Sequence, residues 1–177
     1  MATRRRYRSA LRSEKLLREA FIKLTERGER MNVTALCREA DLNRSTFYAH
    51  YDSIDALQEE LVSNLMQDLG RVVQGCVGPE FERSPESVID AIGSYVAANR
   101  TLFRLLITSS QSFGFGDDLR SVLLDAVGCS GIVDEMRFDY VAGGLASIYR
   151  TWILGQYGDI PIEKANQIAA ALVRVTG

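Results

Sequence analysis

Asn32–Leu57 reads NVTALCREADLNRSTFYAHYDSIDAL and carries two helix starts with a break between them. Asn32 is suited to cap a helix, because its side-chain oxygen can accept from an early helical N–H. Val33, Leu36, Cys37 and Ala40 then recur at i, i+3, i+4 and i+7, which predicts a helix of about two turns over Val33 to Ala40. Asp41-Leu42-Asn43 interrupts it. Aspartate tolerates the left-handed backbone better than most residues with a side chain, Leu42 is a lone apolar plug, and Asn43 is a second N-cap. A third helix is predicted from Arg44 to about His50, and Ser53 caps a fourth.

Two short helices joined by a tight turn, the second polar and in a basic surround, have the form of a helix-turn-helix, whose second helix lies in the DNA major groove. The side chains suit that use. Arg44 can give a bidentate contact to guanine O6 and N7, and the hydroxyls of Ser45 and Thr46, with the free N–H groups of the helix start, can bind phosphate. Phe47 faces the core. Two competing readings stay open: an ion pair of Arg44 with Asp41, and a structural His50 tying the third helix to the fourth.

The surrounding charge is segregated along the chain. Residues 1–50 hold twelve Lys/Arg against six Asp/Glu, a balance of +6, whereas residues 51–177 hold nine against seventeen, a balance of -8. A basic first third points to a polyanionic partner. Residues 1–8, MATRRRYR, lack apolar periodicity and predict a flexible basic arm; Arg4, Arg5, Arg6 and Arg8 then serve DNA or merely solubility.

From Ser9 onward Leu16, Leu17, Ala20, Phe21 and Leu24 form the stripe of a first helix ending near Gly28. Ile54, Leu57, Leu61, Leu65, Leu69, Val72 and Val73 keep a stripe through the fourth, and Gly75, Gly78 and Pro79 mark a linker. Further helical patterns cover Pro85 to Ala98, Arg100 to Ser109, Asp117 to Val127, about Gly131 to Gly155, and Pro161 to Val175, with a Gly/Ser/Phe-rich loop at 109–116. The fold class is therefore all-α.

Composition narrows the function classes. A hydrophobic share of 46% fits a globular chain, and no apolar run approaches the roughly 18 residues that span a bilayer. The start is too charged for a secretory signal, so a cytoplasmic protein without membrane partners is expected. Cys37, Cys76 and Cys129 are odd in number and lie in apolar patterns, which suits reduced, buried thiols. His50 is the sole histidine, and no cysteine lies at metal-ligand spacing, so neither a metal nor a cofactor is expected. There is no nucleophile triad and no glycine-rich phosphate loop, and an enzyme is not expected.

Residues 32–57 resemble the DNA-binding signature of the tetracycline-repressor (TetR) family of bacterial transcriptional regulators, through the run from Thr46, Tyr48 and His50 to Tyr51, followed by Ser53 and Leu57. The similarity covers about residues 10–60 strongly and the rest weakly. It implies about nine helices in three parts: a basic arm and helix-turn-helix domain over 1–52, a connecting helix over 53–75, and an effector-binding and dimerisation domain over 76–177. Carried over by resemblance, Thr46, Tyr48 and His50 contact phosphates, and Thr34, Arg44, Ser45 and Ala49 lie at or near base edges; Asn43 and Tyr51 complete the DNA-binding set. Two positions depart from the family pattern. Asp41 stands where glycine is common, and Ile54 where a phosphate-binding lysine is common, and both weaken the electrostatic attraction.

The resemblance also implies a homodimer on a palindromic operator, released by a small-molecule effector, and thus a ligand-responsive repressor. Gly143, Gly144 and Ala146 leave room for a neighbouring helix, and with Ile168 and Leu172 they are the candidate dimer interface, unless they pack within one subunit. Tyr95, Phe103, Leu106, Phe113, Phe115, Met136, Tyr140, Tyr149 and Trp152 are the candidate effector pocket. Two alternatives use the same fold: a protein-interaction module acting as co-regulator, and a small-molecule binder with vestigial DNA contact.

Overall fold

In a computed structural model of the chain, residues 2–76, 84–108, 115–127 and 131–176 are described, and among them every regular element is an α-helix. The order is α1 (Ala2–Glu26), α2 (Val33–Glu39), α3 (Arg44–Tyr48), α4 (Ile54–Cys76), α5 (Pro85–Ala98), α6 (Arg100–Thr108), α7 (Phe115–Val127), α8 (Ile132–Ile153) and α9 (Ile162–Thr176). The all-α expectation holds. Gly78, Pro79, Phe113 and Cys129 lie outside the described residues, as does most of the expected 109–116 loop, of which Phe115 and Gly116 open α7.

Helix ends follow local chemistry. α1 stops where Gly28 takes φ 64°, with Glu29 N–H donating to Leu24 O and Gly28 N–H to Thr25 O, the paired bonds of a Schellman cap. Ser84 caps α5 by accepting from Ser87 N–H, and Pro85 occupies the first turn, where a missing N–H costs nothing. One expectation fails at the start: α1 includes residues 2–8, predicted as a flexible arm. Alanine and arginine are strong helix formers, so that segment extends α1 without an apolar stripe.

The chain divides into two compact units, Met1–Ser63 and Asn64–Gly177, the division falling within α4. The first unit closes over Leu17, Phe21, Leu24, Leu36, Phe47 and Leu57, all at most 1% exposed. In the second, α5 packs on α9 and α7 on α8. Gly93 on α5 lies so close to α9 that a Cβ there would overlap the Asn166 amide. Asn166 is itself buried, with Nδ2 donating to Asp90 Oδ1 at 3.2 Å. The Tyr149 hydroxyl lies 3.0 Å from Ile89 O and 3.2 Å from Asn166 Oδ1, two acceptors for its single hydrogen, and burial pushes its pKa up. No helix among the described residues is long and apolar enough to cross a membrane.

Candidate nucleic-acid interface

The turn between α2 and α3 is built from backbone bonds. Asn32 Oδ1 accepts from Ala35 N–H at 2.9 Å and starts α2 as expected. At its end Asp41 takes φ 52°, Leu42 N–H donates to Cys37 O at 2.9 Å, and Asp41 N–H to Arg38 O at 3.3 Å, a second Schellman cap. Asp41 is the only residue other than glycine with positive φ among the described residues. Asn43 then sits at the N-cap of α3 with extended backbone, but its side chain makes no capping bond, contrary to expectation. Its carbonyl accepts from Thr46 and Phe47 N–H.

α3 is five residues long and is anchored by one of them. Phe47 is fully buried, which contributes roughly 1.5–3 kcal/mol, and its ring lies 5.3 Å from Tyr48 and 6.0 Å from Tyr51. At 100° per residue, Tyr48, Ser45 and Ala49 fall on the arc away from Phe47 and Arg44 lies about 60° to its side, and all four are exposed. Asn43 and Thr34, the latter in the first turn of α2, are exposed too, while Thr46 is half-buried. Arg44 has no ion pair with Asp41. Burial pushes the Cys37 thiol up, and the Arg44 charge draws it down.

His50 and Tyr51 are placed by packing. His50 Nε2 lies 2.7 Å from Ser13 Oγ on α1, and the Ser13 hydroxyl is 2.9 Å from Ala10 O. A serine has one hydrogen: given to Ala10 O it leaves the proton on Nε2 and Nδ1 an acceptor, and given to Nε2 it leaves the proton on Nδ1, where an outside acceptor can take it. The imidazole is thus tied to α1 rather than to α4, leaving Nδ1 for an outside partner. Ser13 escaped the sequence reading, because a serine back-bonding within a helix looks like an ordinary surface position. Tyr51 leaves the set of exposed contacts: it is 5% exposed, and its hydroxyl donates to Glu60 Oε1 at 3.2 Å. Glu60 and Glu14 both pair with Arg18. Burial pushes the Tyr51 hydroxyl up to about 12, partly opposed by its bond with Arg18.

Other charges are also spoken for. Arg27 forms a fork on Glu39, Nη1 to Oε2 at 2.9 Å and Nη2 to Oε1 at 3.1 Å, joining the end of α1 to α2. That bond and the arginine's charge hold Glu39 below the usual carboxylate range.

In the second unit the expected pocket residues scatter. Tyr95, Phe103 and Phe115 stack edge to face, Leu106 and Tyr149 are buried with them, and Trp152 donates to Ile160 O beneath the Arg100 guanidinium. Met136 and Tyr140 are 67% and 66% exposed. A cavity of about 290 Å³ lies instead among α5, α7, α8 and α9, and none of those residues lines it. Tyr140 borders a separate groove of about 400 Å³ on the α8–α9 surface. Of the expected interface, Gly143, Gly144, Ile168 and Leu172 are exposed, and a Cβ on either glycine would meet no atom within 4 Å. Ala146 is buried, because it shares the inward face of α8 with Ala142, Leu145 and Tyr149 and approaches Gly116 of α7.

No family model matches the chain, and no curated protein does. Its described architecture is all-helical, and it shares that fold with a solved structure. Among solved structures it is similar to the dihydroxyacetone kinase operon activator DhaS, with a TM-score of 0.70 and 17% identity over 93% of this chain and 95% of that one. At that identity the likeness establishes the fold.

Proposed function

We propose that the protein is a DNA-binding transcription regulator that grips duplex DNA through α3. The observation that carries this reading is the exposed arc of Arg44, Ser45, Tyr48 and Ala49, held rigid from behind by the buried Phe47 and from below by the Asp41 turn. Arg44 reads base edges with help from Thr34 and Ser45, while Thr46, Tyr48 and the Nδ1–H of His50, in the tautomer whose Nε2 accepts from the Ser13 hydroxyl, position the helix on phosphates. Residues 1–52 serve DNA, 53–75 connect, and 76–177 bind effector and partner.

A five-residue helix touches too few base pairs to select a site alone, so the reading includes a homodimer on a palindrome. The support is the exposed surface of Met136, Tyr140, Gly143, Gly144, Ile168 and Leu172, apolar side chains beside two helix positions without bulk. We take the direction of control to be repression, since occupancy of a promoter by itself excludes polymerase; DhaS is named an activator, and transcription from a template bearing the selected site decides the sign. The effector acts by lowering the DNA-competent population.

Titration of the chain against duplex DNA at several salt concentrations tests the reading. The expected result is a steep negative slope of log affinity on log salt, and in Arg44→Ala a loss of about 1–3 kcal/mol with relaxed sequence preference. Absence of salt-dependent binding at low ionic strength would instead leave the same fold as a protein-interaction module.

A further inference from the structure

The cavity among α5, α7, α8 and α9, with Cys76 of α4 also on its lining, is walled almost wholly by apolar side chains. Val88 and Ile89 of α5, Leu123 of α7, and Phe138 and Val141 of α8 form its walls. Its volume of about 290 Å³ holds about ten non-hydrogen atoms, at the roughly 30 Å³ that each water oxygen occupies in the liquid.

Among the described residues that line it, Arg137 is the only charged one, and a guanidinium offers donors and no acceptor. Ser84, also on the lining, is already engaged: its hydroxyl donates to Glu86 Oε2 at 2.7 Å and accepts from Ser87 N–H at 3.3 Å. Glu86 in turn pairs with Arg174 at 2.6 Å, and Asp139, two residues along α8 from Arg137, pairs with Arg120. Neither carboxylate is paired with Arg137. An apolar space with a single, exposed cation on its lining is complementary to an apolar molecule with one negative end. A cationic end would meet like charge, and a neutral one would forgo the charge-assisted bond.

We infer that this cavity takes a small apolar monocarboxylate of about ten non-hydrogen atoms, its chain between α5 and α7 and its carboxylate on Arg137. The inference rests on the reading of residues 76–177 as the effector-binding part and names the chemistry of that effector.

Octanoate matches the size. Calorimetric titration of the full chain with octanoate, 1-octanol and octylamine separates the head group from the chain. The carboxylate should bind about tenfold tighter than the alcohol, and the amine weakest. In Arg137→Gln the carboxylate and the alcohol should bind alike, and in Val88→Trp neither should bind. The proposal is overturned if octanoate fails to bind, if the unaltered chain does not distinguish carboxylate from alcohol, if the distinction survives Arg137→Gln, or if a folded Val88→Trp protein still binds octanoate normally. Duplex DNA affinity measured on the same preparation tests the regulator reading independently. A chain that binds duplex but has no carboxylate preference loses only the ligand proposal, and one with the preference but no duplex binding keeps it.

Discussion

Asp41 adopts a backbone conformation that costs an L-residue about 1 kcal/mol or more and costs glycine almost nothing. Asp41→Gly relieves that strain but gives the unfolded chain more freedom, so the net gain is at most about 1 kcal/mol, or about 2–4 °C in Tm by calorimetry. The same substitution removes a negative charge beside the α3 surface, and duplex affinity at low salt should rise with it. A drop in Tm would contradict the strain argument. This residue's conformation was legible in the sequence, because few side chains fit between two helices that close. The partner of His50 was not. Ser13 lies 37 positions away along the chain, and nothing in local spacing tells which helix an imidazole will meet.

Between elements, the Arg27–Glu39 fork and the Gly93–Asn166 contact make distinguishable predictions. Glu39 is held below its usual 4.5, chiefly by the hydrogen bond from Arg27, so the folded state holds its proton less tightly than the unfolded chain. Its contribution is therefore present above the unfolded pKa and is lost as pH falls through the folded one. The Tm difference between the unaltered chain and Glu39→Gln should be largest near neutrality and vanish in acid; a difference independent of pH would refute the assignment. Gly93→Ala forces α5 from α9 and should cost about 1–3 kcal/mol in denaturant unfolding. Asn166→Ala in the same chain should recover part of that loss, since it removes the overlapping amide. Helix positions were largely legible from apolar period and caps, but the polar contact under Gly93 was not, because a glycine within a helix announces no particular neighbour.

At the scale of the whole molecule, the proposed dimer rests on the exposed α8–α9 surface. Tyr140→Glu places a charge where the proposed partner helix packs, and an unpaired charge buried there costs about 3–5 kcal/mol of association. Sedimentation should show monomers, with the stability of the single chain altered by no more than about 0.5 kcal/mol. An unchanged dimer would move the interface elsewhere. Gly143 and Gly144 pointed to this face in the sequence, since small residues in a long helix invite a close neighbour, whereas the inward turn of Ala146 had no local signal. The cavity was not readable: large aromatic side chains fill cores as readily as they wall a space, and here Phe103, Phe115 and Tyr149 fill one.

The surface of α3 is finished before any partner arrives. Phe47 is sealed, both flanking turns are closed by backbone bonds, and His50 is moored to α1. Little ordering entropy remains to be lost on contact, so the heat-capacity change of association should scale with the area the two surfaces bury, without the added component that accompanies folding on binding.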